Sequence, residues 1–414
     1  MRILYLNPIG ELGGAEKSLL DILGVVRTYQ PGWQLGLITG GPGTLVARAE
    51  ALGVTVRTVT LPEAIAGIGD SGGDRHVCFG KCLQAGMSSI SYIVRLREVI
   101  RSFRPDIIHT NGFKMHVLGV WGKPSGTPVI WHIRDYVSSR PIMRRLLRFH
   151  KSFCAGAIVN SKSVCRDVQS VCGTSLHVKC IYNAIDLEDY SPEGSAEDLD
   201  TLSQLEPAEP DAVRIGLLAT MARWKGQVVF LKALAELPSN LKYRACVIGG
   251  PIYRTEHSQY TIQELRALAA KLDIADKVGF TGFLPDSARA IRALDIVVHA
   301  STEPEPFGRV IAEAMACGRA VISSGTGGAR ELIMEGHDAV THEPGDHVEL
   351  AKRISELARN AELRRCMGQC ARETAERRFS RCRLAADLIP LYRAVLTDRF
   401  QSASSDTHAT STPC

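Results

Sequence analysis

This 414-residue sequence has no excess of charge of one sign. Its 49 lysines and arginines face 44 aspartates and glutamates, and a net charge of +5 spread over this length argues against a nucleic-acid binder, whose basic residues cluster in one domain or stripe. No run of about 18 apolar residues is free of charges, so a transmembrane helix is not expected. A secretory leader is not expected either: MRILYLNPIGE has one Arg and a short apolar run that Asn7 and Pro8 end, and it reads as a first strand rather than a signal. CxxC is absent from the twelve cysteines, and the C-x3-C pairs Cys78/Cys82 and Cys366/Cys370 have no ligand cluster beside them, which argues against zinc. Thiols inside apolar runs (Cys154, Cys246, Cys317) read as free and buried, as in a reducing cytoplasm. The dinucleotide fingerprint is incomplete: Gly41-Pro42-Gly43 lies between a strand and a helix, but the third glycine and a terminal acid on the next strand are lacking, which argues against NAD.

What is present is alternation. Hydrophobic content of 45% and charged content of 22% suit a soluble globular chain, and the length predicts two to three domains. Strands at 2–6, 33–39, 54–59, 106–109, 128–135 and 157–160 alternate with helices near 15–23, 43–51, 88–103 and 113–121. A second series has strands at 213–219, 243–248, 277–281, 296–299 and 320–323, with helices near 226–236, 256–272, 307–316, 346–358, 360–377 and 379–397. This is an α/β pattern of two doubly wound domains. The predicted limits are 1–186, an acidic linker 187–211, a second domain 212–379, a last helix 380–397 and a disordered tail 398–414. The Gly-rich stretch 62–87 reads as a long functional loop. Asp198-Leu199-Asp200 is formally DxD, but it follows no strand and reads as incidental.

The segment 295–331, DIVVHASTEPEPFGRVIAEAMACGRAVISSGTGGARE, sets the chemistry. Two strand–loop–helix units stand back to back, each with a helix start at the strand's C-terminal edge, where open α/β sheets bind ligands. Exposed N–H groups at Phe307–Gly308 suit a phosphate, while Glu305 and Glu313, spaced E-x7-E, can accept hydrogen bonds from hydroxyls on either side of it. Lys225, before Gly226 at the strand-to-helix turn Thr220–Gln227, is a point charge suited to a diphosphate, with Arg223 beside it. In the first domain, Gly13-Gly14 before Glu16 fits either a tight turn or close backbone approach to a ligand. His132, Arg134 and Asp135 end one strand, and His109 and Asn111 end its neighbour; His132 fits a core histidine or a site residue equally. Residues 140–153, with Arg144, Arg145, Arg148 and Lys151, form a basic amphipathic stretch that suits a solvated face or an anionic lipid surface.

EPFG, EAMACG and the following GTGG together resemble the donor-site motif of retaining glycosyltransferases of family 4, which have the GT-B fold. So do Gly13-Gly14-x-Glu16 as the GG(A)E loop, Asn183-Ala184-x-Asp186 with Tyr190-x-Pro192 as the domain boundary, Lys225-Gly226, Gly282-Phe283 and Gly327-Gly328-x-x-Glu331. The resemblance covers nearly the whole chain and is strongest over 213–331. It implies two Rossmann-like domains facing across a cleft, with the last helix returning to the first, and transfer of a sugar from a nucleotide diphosphate sugar with retention of configuration. Glu305 would touch the transferred sugar, Glu313 the ribose, Lys225 and Arg223 the diphosphate, and His132 the anomeric region. Gly13, Gly14, Phe307 and Gly308 would face the donor, with Gly282-Phe283 at the nucleobase, although Phe283 fits a core position as well. Glu16, Asn111, Arg134 and Asp135 would lie on the acceptor side. The acceptor would be a glycan, a lipid-linked or a small molecule, and no metal or other cofactor is implied, because cations and helix dipoles supply the positive charge. One departure stands out: Thr220 occupies the place of the family's second diphosphate Arg, with Arg223 as the candidate replacement. An epimerase or phosphorylase of the same fold, or a non-catalytic sugar-nucleotide-binding protein, are the alternatives.

Overall fold

Short runs rich in Ile, Leu and Val, buried on both faces except in edge strands, build two sheets in which every strand pair is parallel. The structure is a computed structural model and describes residues 1–66, 79–250 and 258–397. Residues 67–78 of the loop expected over 62–87, and the expected disordered tail, lie outside the described residues. The chain divides into two units, Met1–Ala184 with the chain from Arg381, and Ile185–Ser380.

The first unit runs β1 (Arg2–Asn7), α1 (Gly14–Tyr29), β2 (Gln34–Thr39), α2 (Thr44–Ala51), β3 (Thr55–Thr58), α3 (Glu63–Ala66), α4 (Phe79–Phe103), β4 (Ile107–Asn111), α5 (Phe113–Gly122), β5 (Val129–Ile133), α6 (Pro141–His150), β6 (Gly156–Val159), α7 (Lys162–Cys172) and β7 (Val178–Cys180). Its sheet has the order β3-β2-β1-β4-β5-β6-β7. The second unit runs α8 (Leu199–Ser203), β8 (Val213–Leu218), α9 (Gln227–Ala235), β9 (Tyr243–Ile248), α10 (Ile262–Lys271), β10 (Val278–Gly282), α11 (Ser287–Arg292), β11 (Ile296–His299), α12 (Arg309–Ala316), β12 (Ala320–Ser323), β13 (Val340–Thr341), α13 (His347–Arg359) and α14 (Ala361–Phe379), in a sheet ordered β10-β9-β8-β11-β12-β13. The final helix, α15 (Arg381–Leu396), belongs to the first unit: Leu384, Leu388 and Tyr392 join the core with Leu19, Ile22 and Val26 of α1.

Strand order reverses between β1 and β4 in one unit and between β8 and β11 in the other. Those switch points leave a crevice at the strands' C-terminal ends, and most of the candidate residues stand there.

Three expectations are corrected. α4 starts at Phe79 rather than near 88, because Gly80 and Gly86, read as loop, are tolerated inside a helix at about 1 kcal/mol each. Thr110 and Asn111 belong to β4, since the ladder to β5 continues through Asn111 opposite His132; Gly112, with φ +88°, makes the turn into α5. The stretch 187–211 is no bare linker: Asp198 caps α8, Leu199 is buried, and Asp200 pairs with Arg214 and Arg244 at 2.8 and 3.2 Å.

Candidate active site

In the second unit two left-handed glycines start the helices at the switch point. Gly226 (φ +83°) caps α9 and Gly308 (φ +86°) caps α12, a region that favours glycine. Gly226 has a further constraint, because a Cβ there would run into the Ala300 carbonyl. The turn before α9 is tied to the loop after β11 by Thr302 N–H donating to the Trp224 carbonyl at 2.8 Å. That loop is tied to the glycine-rich turn by Gly328 N–H donating to the Glu305 carbonyl at 2.6 Å. The backbone thereby brings Lys225 and Glu305, eighty residues apart, to 2.5 Å between Nζ and Oε2. Lys225 also lies 4.0 Å from the centre of the Trp224 ring.

Three donors converge on Glu305 Oε2: Lys225 Nζ, Ser301 Oγ at 3.1 Å and His299 Nε2 at 3.3 Å. Ser323 and Ser324 hydroxyls stand 3.5 and 3.4 Å from the other His299 ring nitrogen. Burial pushes the Glu305 carboxyl up, but the Lys225 ammonium and the His299 hydrogen bond outweigh it and hold the group well below the usual carboxylate range. Glu305 is therefore a fixed anion beside a cation. Lys225 has two ammonium N–H groups beyond the one directed at Glu305.

Glu313 is buried on α12, and Arg309 Nε donates to its Oε1 at 2.7 Å across one helical turn. Phe307 is buried against Phe379. Phe283 is 63% exposed beyond Gly282, so its core reading is dropped. Arg223 does not take the place expected beside the diphosphate cation. Its guanidinium lies 4.3 Å from the Tyr260 ring and pairs with Glu264 at 3.4 Å, because the turn leads its side chain toward α10. Thr220 leaves its own hydroxyl buried and unpartnered, while its carbonyl accepts from Gln227 Nε2 at 2.7 Å.

In the first unit Gly13 caps α1, with Glu16 Oε2 accepting from Gly13 N–H at 3.1 Å. Gly14 is the first helical residue. Burial raises the Glu16 carboxyl pKa against the opposing hydrogen bond from Asn7. From Glu16 a polar chain runs through Asn7 (3.2 Å) and Asn111 (2.6 Å) to Arg134 Nε (2.7 Å), whose Nη1 also reaches Asn183 at 2.8 Å. His132 is buried in β5 beside His109. Asp135 pairs with Arg140 at 2.7 Å, apart from this chain. Sequence reasoning did not single out His299, Ser301, Arg309, Asn7 or Tyr392. His299 ends an otherwise apolar strand, which is a readable signal; Tyr392 lies in an ordinary helical pattern and offers none. Among the described residues no three His, Cys, Asp or Glu side chains gather as a metal site, and no helix is long and apolar enough to cross a membrane.

Residues 202–374 match the family described as glycosyl transferases group 1, and residues 32–189 match glycosyltransferase family 4. The two matches take in most of the chain, which belongs to these glycosyltransferase families and has the GT-B fold of two Rossmann-like domains. N-acetyl-alpha-D-glucosaminyl L-malate synthase of Bacillus anthracis is 26% identical over 263 residues, 63% of this chain and 65% of that protein. Spore coat protein SA of Bacillus subtilis is 28% identical over 222 residues, 52% of this chain and 58% of that protein. The chain thus spans under two thirds of either relative. Among solved structures, Anabaena Alr3699/HepE in complex with UDP and glucose is 26% identical with a TM-score of 0.76, covering 95% of this chain and 100% of that one.

Proposed function

We propose that the protein moves a glycosyl group from a nucleotide diphosphate sugar to a hydroxyl of a glycan, lipid-linked or small-molecule acceptor, with retention at the anomeric carbon. The observation that carries this reading is the half-buried Lys225–Glu305 pair between the glycine-capped starts of α9 and α12. The chemistry is a front-face substitution. The bond from C1 to the diphosphate oxygen breaks, the bond from C1 to the acceptor oxygen forms, and the acceptor proton goes to the departing diphosphate. Lys225 and the N–H groups at the start of α12 stabilise the charge that grows on that diphosphate. Glu305 orients sugar hydroxyls, Glu313 accepts from the ribose, and Gly13, Gly14, Gly282 and Phe283 contribute to donor binding. Glu16, Asn111 and Arg134 serve the acceptor side, and protein cations and dipoles stand in for a metal. The relatives named above support the reaction class, and the HepE complex, which holds UDP and glucose, supports a uridine donor.

Melting curves with UDP-, GDP- and ADP-sugars test the donor site. At a hundred times Kd, the cognate donor raises the melting temperature by about 5 °C. No shift with any of them would remove the donor reading.

We also propose that α6 touches an anionic membrane surface from the cytoplasmic side. Ile142, Phe149 and Phe153 are 50, 72 and 51% exposed, among the exposed Arg144, Arg145 and Arg148. Lys151, counted with them from sequence, bonds instead to the Cys172 carbonyl and Ser175. Neutralising the three arginines weakens sedimentation with phosphatidylglycerol vesicles about a hundredfold, at about 1 kcal/mol per charge. Equal binding to neutral vesicles, or none to either, would contradict it.

A further inference from the structure

Behind the strand end that carries His132, the first unit buries a row of polar rings. Tyr5 of β1, His109 of β4, His132 of β5 and Tyr392 of α15 are each 3% exposed or less. Tyr5 Oη stands 3.2 Å from Tyr392 Oη, Tyr392 Oη 2.8 Å from His109 Nδ1, and His109 Nε2 3.0 Å from His132 Nδ1. The row stops there. The remaining nitrogen, His132 Nε2, is buried and has no hydrogen-bond partner among the described residues.

A row of this kind can run in either direction until one neighbour can only donate. Arg134 is that neighbour: its Nη2 lies 3.3 Å from His132 Nδ1, and a guanidinium has no acceptor. Asn111 and Asn183 hold the same guanidinium in place. His132 Nδ1 must therefore accept. Burial, with the Arg134 charge, keeps both His109 and His132 neutral by lowering their pKa values well below the usual histidine range. A neutral imidazole carries one N–H, so on His132 it is on Nε2. The direction then passes along the row: His109 Nε2 donates to His132, the Tyr392 hydroxyl donates to His109 Nδ1, and the Tyr5 hydroxyl donates to Tyr392.

We propose that Arg134, acting with the His109–Tyr392–Tyr5 row, sets His132 as an Nε2–H donor reserved for an oxygen of the bound sugar substrate, so that His132 donates a hydrogen bond and does not take the acceptor's proton. Identifying that oxygen as a sugar's rests on the transfer reading above; the tautomer does not. His132 is then a contact residue, and Arg134 and Tyr392 are positioning residues.

The test has a spectroscopic arm and a kinetic arm. In protein labelled with 15N-histidine, the ring signals lost in His132→Gln report an Nε2–H, Nδ1-bare imidazole in the wild type. Arg134→Met admits the Nδ1–H form, and Arg134→Lys, which keeps a donor-only neighbour, restores the Nε2–H form. A purely structural arginine would not move this signal. In the kinetic arm, Gln carries an amide N–H near the Nε2 position and Asn does not. His132→Gln therefore keeps kcat within about tenfold, and His132→Asn loses about a hundredfold or more. An Nδ1–H ring or an imidazolium in the wild type, or equal losses in the Gln and Asn variants, overturns the inference. If an Nε2–H ring is found but no nucleotide sugar is turned over, the transfer reading fails and the tautomer assignment stands.

Discussion

Lys225→Ala lowers kcat/KM for glycosyl transfer by about a thousandfold, the upper range for removing one stabiliser of developing transition-state charge. The ammonium stands 2.5 Å from Glu305 in a half-closed setting, with side-chain exposures of 18 and 10%. There its field is weakly screened; among the described residues, Thr220 is neutral and Arg223 pairs with Glu264 rather than standing beside Lys225. The same substitution leaves Glu305 as a buried anion without its cation, which destabilises the fold by roughly 3 kcal/mol. The two effects separate in the double variant. Lys225→Ala with Glu305→Gln regains most of the stability, since the uncompensated charge is gone, but not the turnover. If the pair is only structural, turnover returns with stability. Melting temperatures and initial rates on the two single variants and the double variant decide between these outcomes.

Gly226→Ala destabilises the second unit by roughly 4 kcal/mol. Placing an L-residue at φ +83° costs about 1–2 kcal/mol alone, and the added Cβ falls on the Ala300 carbonyl, which is backbone and has little room to move. Gly282→Ala is the matched control: its φ is +72°, yet nothing lies within 4 Å of the added Cβ. Denaturant unfolding of the two variants, with losses of roughly 4 and 1–2 kcal/mol, isolates the close approach that seats Lys225. Equal losses would mean that backbone conformation alone matters at Gly226.

Local chemistry explains which parts of the site could be read from sequence. Lys225 and Glu305 stand at glycine-capped strand-to-helix turns, where phosphate chemistry follows from the helix start itself, and Glu313 lies one turn into the helix that follows. The alternation of strands and helices identifies most of both sheets because most strands are short buried aliphatic runs, whereas β7 and β13, three and two residues long, offer no such run. Tertiary partners are a different matter. Arg223 sits two residues from Lys225, yet its direction is set by Tyr260 and Glu264, which no spacing rule connects to it. The partner of Glu313 was one turn away on the same helix, at Arg309, and i,i+4 geometry could have found it. Tyr392 lies 283 residues from His109, and only the return of α15 to the first unit makes them neighbours. Asp198 and Asp200 look like a metal motif in sequence, while the fold uses one as a helix cap and the other as the partner of two arginines.

The most direct measurement is the anomeric proton of the product. The wild-type protein is incubated with the nucleotide sugar that shifts its melting curve and with an acceptor glycan, and the new glycosidic signal is followed by NMR alongside nucleotide diphosphate release. The expected product keeps the donor's own anomeric configuration, forms in step with diphosphate release and is lost in Lys225→Ala and Glu305→Gln. An inverted product, an epimerised donor, or hydrolysis that both variants leave unchanged would contradict the transfer reading.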